Sequence, residues 1–452
     1  MSPETAVLDD VMDVAPPTEP ADAAILAGIP AGRSADLPRW FRDQQRSAWE
    51  TFASLPMPNR KNQAWRFSNV GALDLAPYRH VEARALGNEI VERSHGLDEV
   101  CGRLVFADDQ LVHRDAIPEI LTKRGVIFQP LERAIIEHEE LFRRHFMTEP
   151  TPLGSAKFAA LHQALVRSGA FLYVPRGVEI DLPIEIFHWL NAPNAAVFPH
   201  LLLLAEEMSK VAVIEHFRSA DPRYPGFACG VNDLIAGAGA KVVYTCTQNW
   251  GANVSALQMN ATTVARDASA MSLNVHLGAA YSRFESFSRM TGEGARSDLL
   301  AVALAQGAQE FDARTLQDHR SAHTTSDLLY KNALDDRSRT IFGGLIRVEP
   351  HAHFTDAYQT VRNLLLSDDA EANSMPGLEI LADNVKCSHG ATSGQLHEEE
   401  MFYLLARGIP APVARQLLVT GFLNEAVDRI ENSAIRALVE EMAAAKLARS
   451  RN

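Results

Sequence analysis

The 452-residue chain is poor in several things, and each shortage removes a class of function. Its four cysteines, Cys101, Cys229, Cys246 and Cys387, are widely scattered and form no Cys-x-x-Cys pair, which excludes a disulfide framework and fits a reducing compartment. Positive charge is scarce: 43 Lys and Arg against 57 Asp and Glu give a net charge of −14, which argues against nucleic acid or an anionic membrane as partner. Apolar runs such as Leu201 to Ala205 are far too short to cross a bilayer, and no Lys or Arg precedes Arg33, so the expected location is the cytoplasm. The Gly-x-x-x-x-Gly-Lys-Ser/Thr phosphate loop is missing too. Gly237-Ala-Gly-Ala-Lys241 has the wrong spacing for one, and Gly292-Glu-Gly-Ala-Arg-Ser297 lacks the third glycine of a dinucleotide fingerprint. The chain is therefore not expected to be an ATPase or a dehydrogenase.

What is present is an ordinary globular composition, 46% hydrophobic and 22% charged, on a chain long enough for two or three folding units or one elongated architecture. Residues 1–22 are rich in Pro, Asp, Glu and Ala and read as a disordered tail. Residues 23–165 read as a helix-rich N-terminal domain. Apolar residues recur at helical spacing from Leu37 to Ser54, where Pro56 and Pro58 stop the pattern, then from Leu131 to Phe146 and from Lys157 to Val166.

Between 166 and 392 the pattern becomes short β-like runs punctuated by glycine. Met271, Leu273, Val275 and Leu277 alternate with Ser272, Asn274 and His276, as a half-buried strand requires. Pattern alone leaves sandwich, barrel and stacked solenoid open, and only the length of the region favours a solenoid. Residues 393–452 turn helical again, with a stop at Gly408 and segments from Pro412 to Ile430 and from Ser433 to Leu447. Phe402, Leu404, Leu405, Leu417, Leu418 and Phe422 are expected to form mainly an internal core there.

Longer motifs carry a resemblance. Val385-Lys-Cys-Ser-His-Gly-Ala-Thr-Ser-Gly-Gln-Leu396, followed by Glu398-Glu-Glu-Met-Phe-Tyr-Leu-Leu-Ala-Arg-Gly-Ile409, closely resembles the C-terminal signature of the SufB/SufD family of iron–sulfur cluster assembly scaffolds. Thr355-Asp-Ala-Tyr-Gln359, Arg362-Asn-Leu-Leu-Leu-Ser367, Ser326-Asp327, Lys331 and Phe342-Gly-Gly-Leu-Ile346 resemble its strand-region motifs. The Cys-Ser-His-Gly-Ala-Thr form and the segment Pro58-Asn-Arg-Lys-Asn-Gln-Ala-Trp-Arg-Phe67 resemble the SufD branch, although Gln63-Ala64 and Phe67-Ser68 depart from that branch's usual residues. The resemblance implies a mainly β fold: a right-handed parallel β-helix flanked by an N-terminal helix-rich α/β domain and a C-terminal helical domain. It also implies a SufB-like paralogue and a SufC-like ABC ATPase as partners, a homodimer when isolated, and a flavin on the assembled scaffold that no residue here marks.

A cluster needs about four soft ligands, and this chain cannot gather four thiolates. Cys387 and His389 are two apart, so in a strand they share a face roughly 7 Å apart and form half a site. An arbitrary Cys-x-His is ordinarily a buried thiol and a turn imidazole. Within this signature the resemblance implies that the pair holds a transient nascent cluster at the contact with the partner chain, which completes the ligand set. The ATPase is expected at Met401, Phe402, Tyr403, Leu404, Arg407 and Gly408, with most of these in the core and contact made by their neighbours. His351 and His353 read as sharing a strand face and, with His319 and His323, as a remote second metal site. Cys229 and Cys246 read as core residues. Two alternatives stand beside the SufD-type scaffold: the SufB-type main scaffold subunit, and a β-helix polysaccharide-active enzyme, for which Glu206-Glu207 and Asp335-Asp336 offer only adjacent carboxylates pointing opposite ways.

Overall fold

A computed structural model describes residues 36–81 and 89–449, so the tail expected at 1–22 lies outside the described residues. Most of the chain winds as a solenoid whose strands fall into two sheets. The first runs in the order β2 (Gln110–Asp115), β1 (Gly102–Ala107), β5 (Ile184–Leu190), β8 (Lys210–Ser219), β10 (Lys241–Asn249), β12 (Ser269–His276), β14 (Arg296–Ala305), β16 (Thr325–Leu334), β18 (Asp356–Leu365) and β20 (Lys386–Gln395). The second runs β19 (Glu371–Ile380), β17 (Arg339–Val348), β15 (Glu310–His319), β13 (Tyr281–Met290), β11 (Val254–Val264), β9 (Gly226–Ala236), β7 (His200–Ala205), β4 (Gly169–Val174) and β3 (Ile127–Pro130), with β6 (Ala195–Val197) beside β9. Stacked strands pair in parallel, Ser269 with Arg296, Arg296 with Thr325, Thr325 with Asp356 and Asp356 with Lys386. This parallel stacking settles what the strand pattern left open.

Alternation along the strands has a different meaning from the one the sequence suggests. In β12, Ser272, Asn274 and His276 are the inward set, while Leu273 and Val275, with Leu277 just beyond the strand, face out and pack under C-terminal helices. Both faces are buried, because the outer face is roofed. The roof is α6 (Ala411–Val427) and α7 (Ser433–Arg449), two of seven helices labelled here with α1 (Arg39–Ser54), α2 (Leu131–Glu137), α3 (Glu139–His145), α4 (Ala156–Leu165) and α5 (Glu398–Leu405). Val419, Leu423, Ala426, Ile435 and Val439 share one core with Leu300, Val302 and Leu304 of β14. The C-terminal helices thus have no core independent of the sheet. Lys331, buried on β16, pairs with Glu425 of α6 and lies 4.2 Å from the centre of the Phe422 ring, while Arg429 pairs with Asp327 at 2.5 Å. Two of the motif positions are therefore anchors for this roof.

The N-terminal part covers the outer face of the other sheet. Arg283 of β13, fully buried, donates to Asp312 at 2.6 Å and Glu285 at 2.8 Å, and its guanidinium lies 3.8 Å from the centre of the Trp65 ring. Trp65 in turn donates to the Gly154 carbonyl at 2.9 Å. Strands β1, β2 and β3, drawn from the helix-rich part of the sequence, extend both sheets. The single helix expected over Leu131 to Phe146 is two, broken at His138, whose backbone at φ −130° and ψ 44° leaves the helical region. Among the described residues no helix is long and apolar enough to cross a membrane.

Candidate functional site

Cys387 and His389 lie on β20, the last strand of its sheet. Along β18 the inward residues Ala357, Gln359, Val361 and Asn363 are buried, and Tyr358 and Arg362 between them are exposed. The parallel register sets Cys387 beside Ala357 and His389 beside Gln359, so both continue the inward columns of the solenoid. No further turn covers them. Cys387 is therefore only half-buried, against a small core containing Ile346, Val348 and Ala357, and His389 is exposed. Burial pushes the Cys387 thiol up, the Asp356 carboxylate adds to this, and a hydrogen bond with the Ala357 backbone works against it. The sulfur is a thiol that a bound cation would have to deprotonate before it could serve as ligand.

The next layer down is polar. Gln359 is 1% exposed, and its Oε1 and Nε2 have no hydrogen-bond partner in the described structure. Gly344 on β17 makes room for it, since a side chain there would run into Gln359 Nε2 and the Phe342 ring. That gives a physical reason for the second glycine of Phe342-Gly-Gly. The uncovered end also exposes Leu378 and Ile380 of β19, and β19 and β20 each terminate their sheet with an unpaired backbone edge. Such an edge is a template for another chain. Among the described residues no group of three or more His, Cys, Asp or Glu is placed to hold a metal ion, and Cys387 and His389 stand as a pair on one strand face.

The four histidines read as a remote second metal site do not gather into one. His351 and His353 do not share a strand face, because both sit in the turn after β17. His319 is buried inside the solenoid, bonded to Thr324 at 2.8 Å and Ser326 at 2.9 Å, and His323 stacks on Phe354 with ring centres 4.8 Å apart. Glu206-Glu207 and Asp335-Asp336 lie in turns rather than on strands. Cys101, Cys229 and Cys246 are buried free thiols.

The structure corrects the expectation for the helix after the signature. No residue of α5 is buried: Phe402 is 72% exposed and Tyr403 55%, while Met401 and Leu404 are half-buried on the side towards α6. The helix is too short to wrap round a core, so its other side is left to solvent. Arg407 lies 3.5 Å from the centre of the Tyr403 ring, and Gly408 ends the segment at φ 80°, a conformation that suits glycine.

Reading the sequence alone missed a polar cluster sealed within the solenoid. Glu215 of β8, fully buried, accepts a 2.7 Å hydrogen bond from Tyr244 and one from Asn232, and lies 3.1 Å from His188 Nε2. Nothing in the spacing distinguishes these residues from solvent-facing polar positions, because the inward direction is set by the winding. Cys246 lies beside Glu215 in the register, and burial, then that carboxylate, push its thiol well up, as suits an inert core residue.

Two family models match the chain. Residues 188–422 match the SufBD core domain of SUF system FeS cluster assembly, and residues 34–186 match the SufBD protein N-terminal region. The chain is 28% identical over 400 residues to the iron–sulfur cluster assembly protein SufD of Bacillus subtilis, covering 87% of this chain and 91% of that one. It is 27% identical over 403 residues to a SufBD family protein of Staphylococcus epidermidis, and 26% identical over 399 residues to one of Staphylococcus aureus, with 85% of each chain covered in both cases.

Proposed function

The chain belongs to the SufBD family of the SUF iron–sulfur cluster assembly system, and from that premise we propose that it is the SufD-type scaffold subunit, working in the cytoplasm with a SufB-like paralogue and a SufC-like ABC ATPase. The uncovered end of the solenoid carries the reading. There one thiol and one imidazole share a strand face, beside two unpaired strand edges and the exposed apolar residues Leu378 and Ile380. A SufB-like chain pairing on this end supplies the missing ligands, and the nascent cluster, as cargo, forms between the two subunits. Neither chain alone holds it. In isolation the same end pairs with a second copy, giving a homodimer. Flavin binding belongs to the assembled complex, since no residue here is matched to it.

The ATPase docks on α5 and the turn behind it. Phe402 and Tyr403 supply the exposed aromatic surface, with Arg407 and Gly408 shaping its edge and Met401 and Leu404 tying the helix to α6. Deleting everything from Glu398 onward would also uncover Leu300, Val302 and Leu304, so it is a poor test of docking. Phe402→Ala with Tyr403→Ala leaves that core intact. The scaffold reading is tested by co-expressing the chain with its partners, purifying the complex anaerobically and following the cluster's visible absorption. His389→Ala is expected to assemble a normal complex that does not accumulate cluster, and a full cluster load in that variant would reject the assignment. Phe402→Ala/Tyr403→Ala is expected to lose the ATPase while retaining the paralogue; unchanged ATPase recovery would reject the docking surface.

A further inference from the structure

A cavity of about 570 Å³ lies away from the cluster end, along the C-terminal ends of β5, β8, β10, β12 and β14. That volume falls in the range of small-molecule sites. Among the described residues its charged lining consists of Arg93, Arg218 and Lys446, with no Asp or Glu, on a chain whose net charge is −14. Three cations around one cavity in an acidic protein form a local positive field that an anion would neutralise.

Of the two arginines, Arg218 is the less compensated. It extends from the end of β8 between two aromatic rings, its guanidinium 5.1 Å from the Phe187 ring centre and 5.8 Å from that of Trp189. It donates to the Arg93 carbonyl at 2.9 Å, yet no carboxylate lies within ion-pairing distance of it among the described residues. Glu185, the acid that acts on it most, is already engaged with Arg103 at 3.0 Å, the Leu97 amide at 2.8 Å and His216 at 3.3 Å. Burial pulls the Arg218 guanidinium down, Glu185 offsets part of this and Arg93 adds to the depression. Arg93 stacks on the same indole at 4.9 Å, and among the described residues its one ion-pair partner is the exposed Glu89, at 3.4 Å. Opposite them, Lys446 of α7 reaches Gln309 at 3.0 Å. Trp250 and Asn249 form the wall between.

We propose that this cavity binds a phosphate-bearing small molecule, with Arg218, Arg93 and Lys446 holding the phosphate oxygens. Guanidinium and ammonium groups converging from different elements are the ordinary means of gripping a tetrahedral oxyanion. The alternative is that the two arginines only brace Trp189. The pocket is separate from the Cys387 end, three strands further along the sheet, so it stands or falls independently of the cluster reading.

The test is isothermal titration of the purified full chain with pyrophosphate, ADP and adenosine. Pyrophosphate and ADP are expected to bind and adenosine not, with affinity falling as salt rises. Lys446→Gln, on the rim, is expected to weaken both by about tenfold with an unchanged melting temperature, and Arg218→Lys, which keeps the charge but loses the fork, by a similar factor. No binding of either phosphate compound at millimolar concentration would overturn the proposal, as would equal binding of ADP and adenosine, or wild-type affinity in both variants.

Discussion

The anchor between Lys331 and Glu425 makes an asymmetric prediction. Lys331 is 2% exposed, so when α6 is seated its ammonium depends on Glu425 and the Phe422 ring. Glu425 is 43% exposed on its side chain and has a second partner in Arg362, at 3.0 Å. Glu425→Gln therefore leaves a buried cation with a weak neutral acceptor, whereas Lys331→Met leaves the carboxylate paired and keeps an apolar stem under Phe422. A buried donor losing its partner costs about 1 to 3 kcal/mol and a charged one more, and solvent around Glu425 holds the cost within that lower range. Lys331→Met should cost less than about 1 kcal/mol. The stabilisation is also pH-dependent. Burial pushes the Glu425 carboxyl up, but the hydrogen bond and charge of Lys331, with Arg362 and Arg429, outweigh this and hold it below its ordinary value. A carboxyl lowered in the folded state adds stability above its unfolded value of about 4.3, and that stability is lost as pH falls through the folded value. Hydrogen exchange of 411–449 at pH 7 is the assay, because it reads opening of the helical roof without global unfolding. Faster exchange in Glu425→Gln than in Lys331→Met supports the argument. Equal rates, or the reverse order, would refute it.

Three further outcomes follow from buried groups. Burial raises Asp108, in the two-residue turn joining β1 and β2, to about 6 against hydrogen bonds from the Asn191 and Ala192 amides; folding stability should fall as pH rises from about 4 to 6, and Asp108→Asn, which suits the positive φ of 44°, should recover roughly 2 kcal/mol at pH 7.5 in urea denaturation. If the variant gains nothing at pH 7.5 over pH 4, Asp108 is not the titrating group. Glu215→Ala strips the acceptor from Tyr244, Asn232 and His188 inside the solenoid and should cost more than about 3 kcal/mol by denaturant midpoint, at about 1 to 3 kcal/mol for each orphaned group; a loss below about 1 kcal/mol would mean the interior is hydrated. Thiol labelling of the native chain should modify Cys387 alone, and all four cysteines only after unfolding. Native labelling of Cys246 would contradict its place in the core.

Most helices were legible to within a few residues because their stops are chemical, as Pro56 after α1 and Gly408 after α5 act locally, whereas the break at His138 between α2 and α3 carries no such residue. The signature around Cys387 and His389 was legible for the same reason, since its residues are contiguous in the chain. The exposure of Phe402 and Tyr403 was not legible. An apolar face looks the same whether it is covered or not, and only the shortness of α5 and its one-sided contact with α6 decide the matter.

By itself, then, the sequence determined most element types, the family signature and the placing of one thiol and one imidazole two residues apart, all of which depend on residues close together in the chain. The tertiary structure decided which face of each strand is inside, because a strand's neighbours in a solenoid are the previous and next turns, not the adjacent strands in sequence. Leu273 and Asn274 are both buried, on opposite faces, and only the winding together with the helical roof tells them apart. The same winding leaves His389 at an uncovered end, and aligns the ends of five strands with Lys446 around one cavity, contacts that no local pattern encodes.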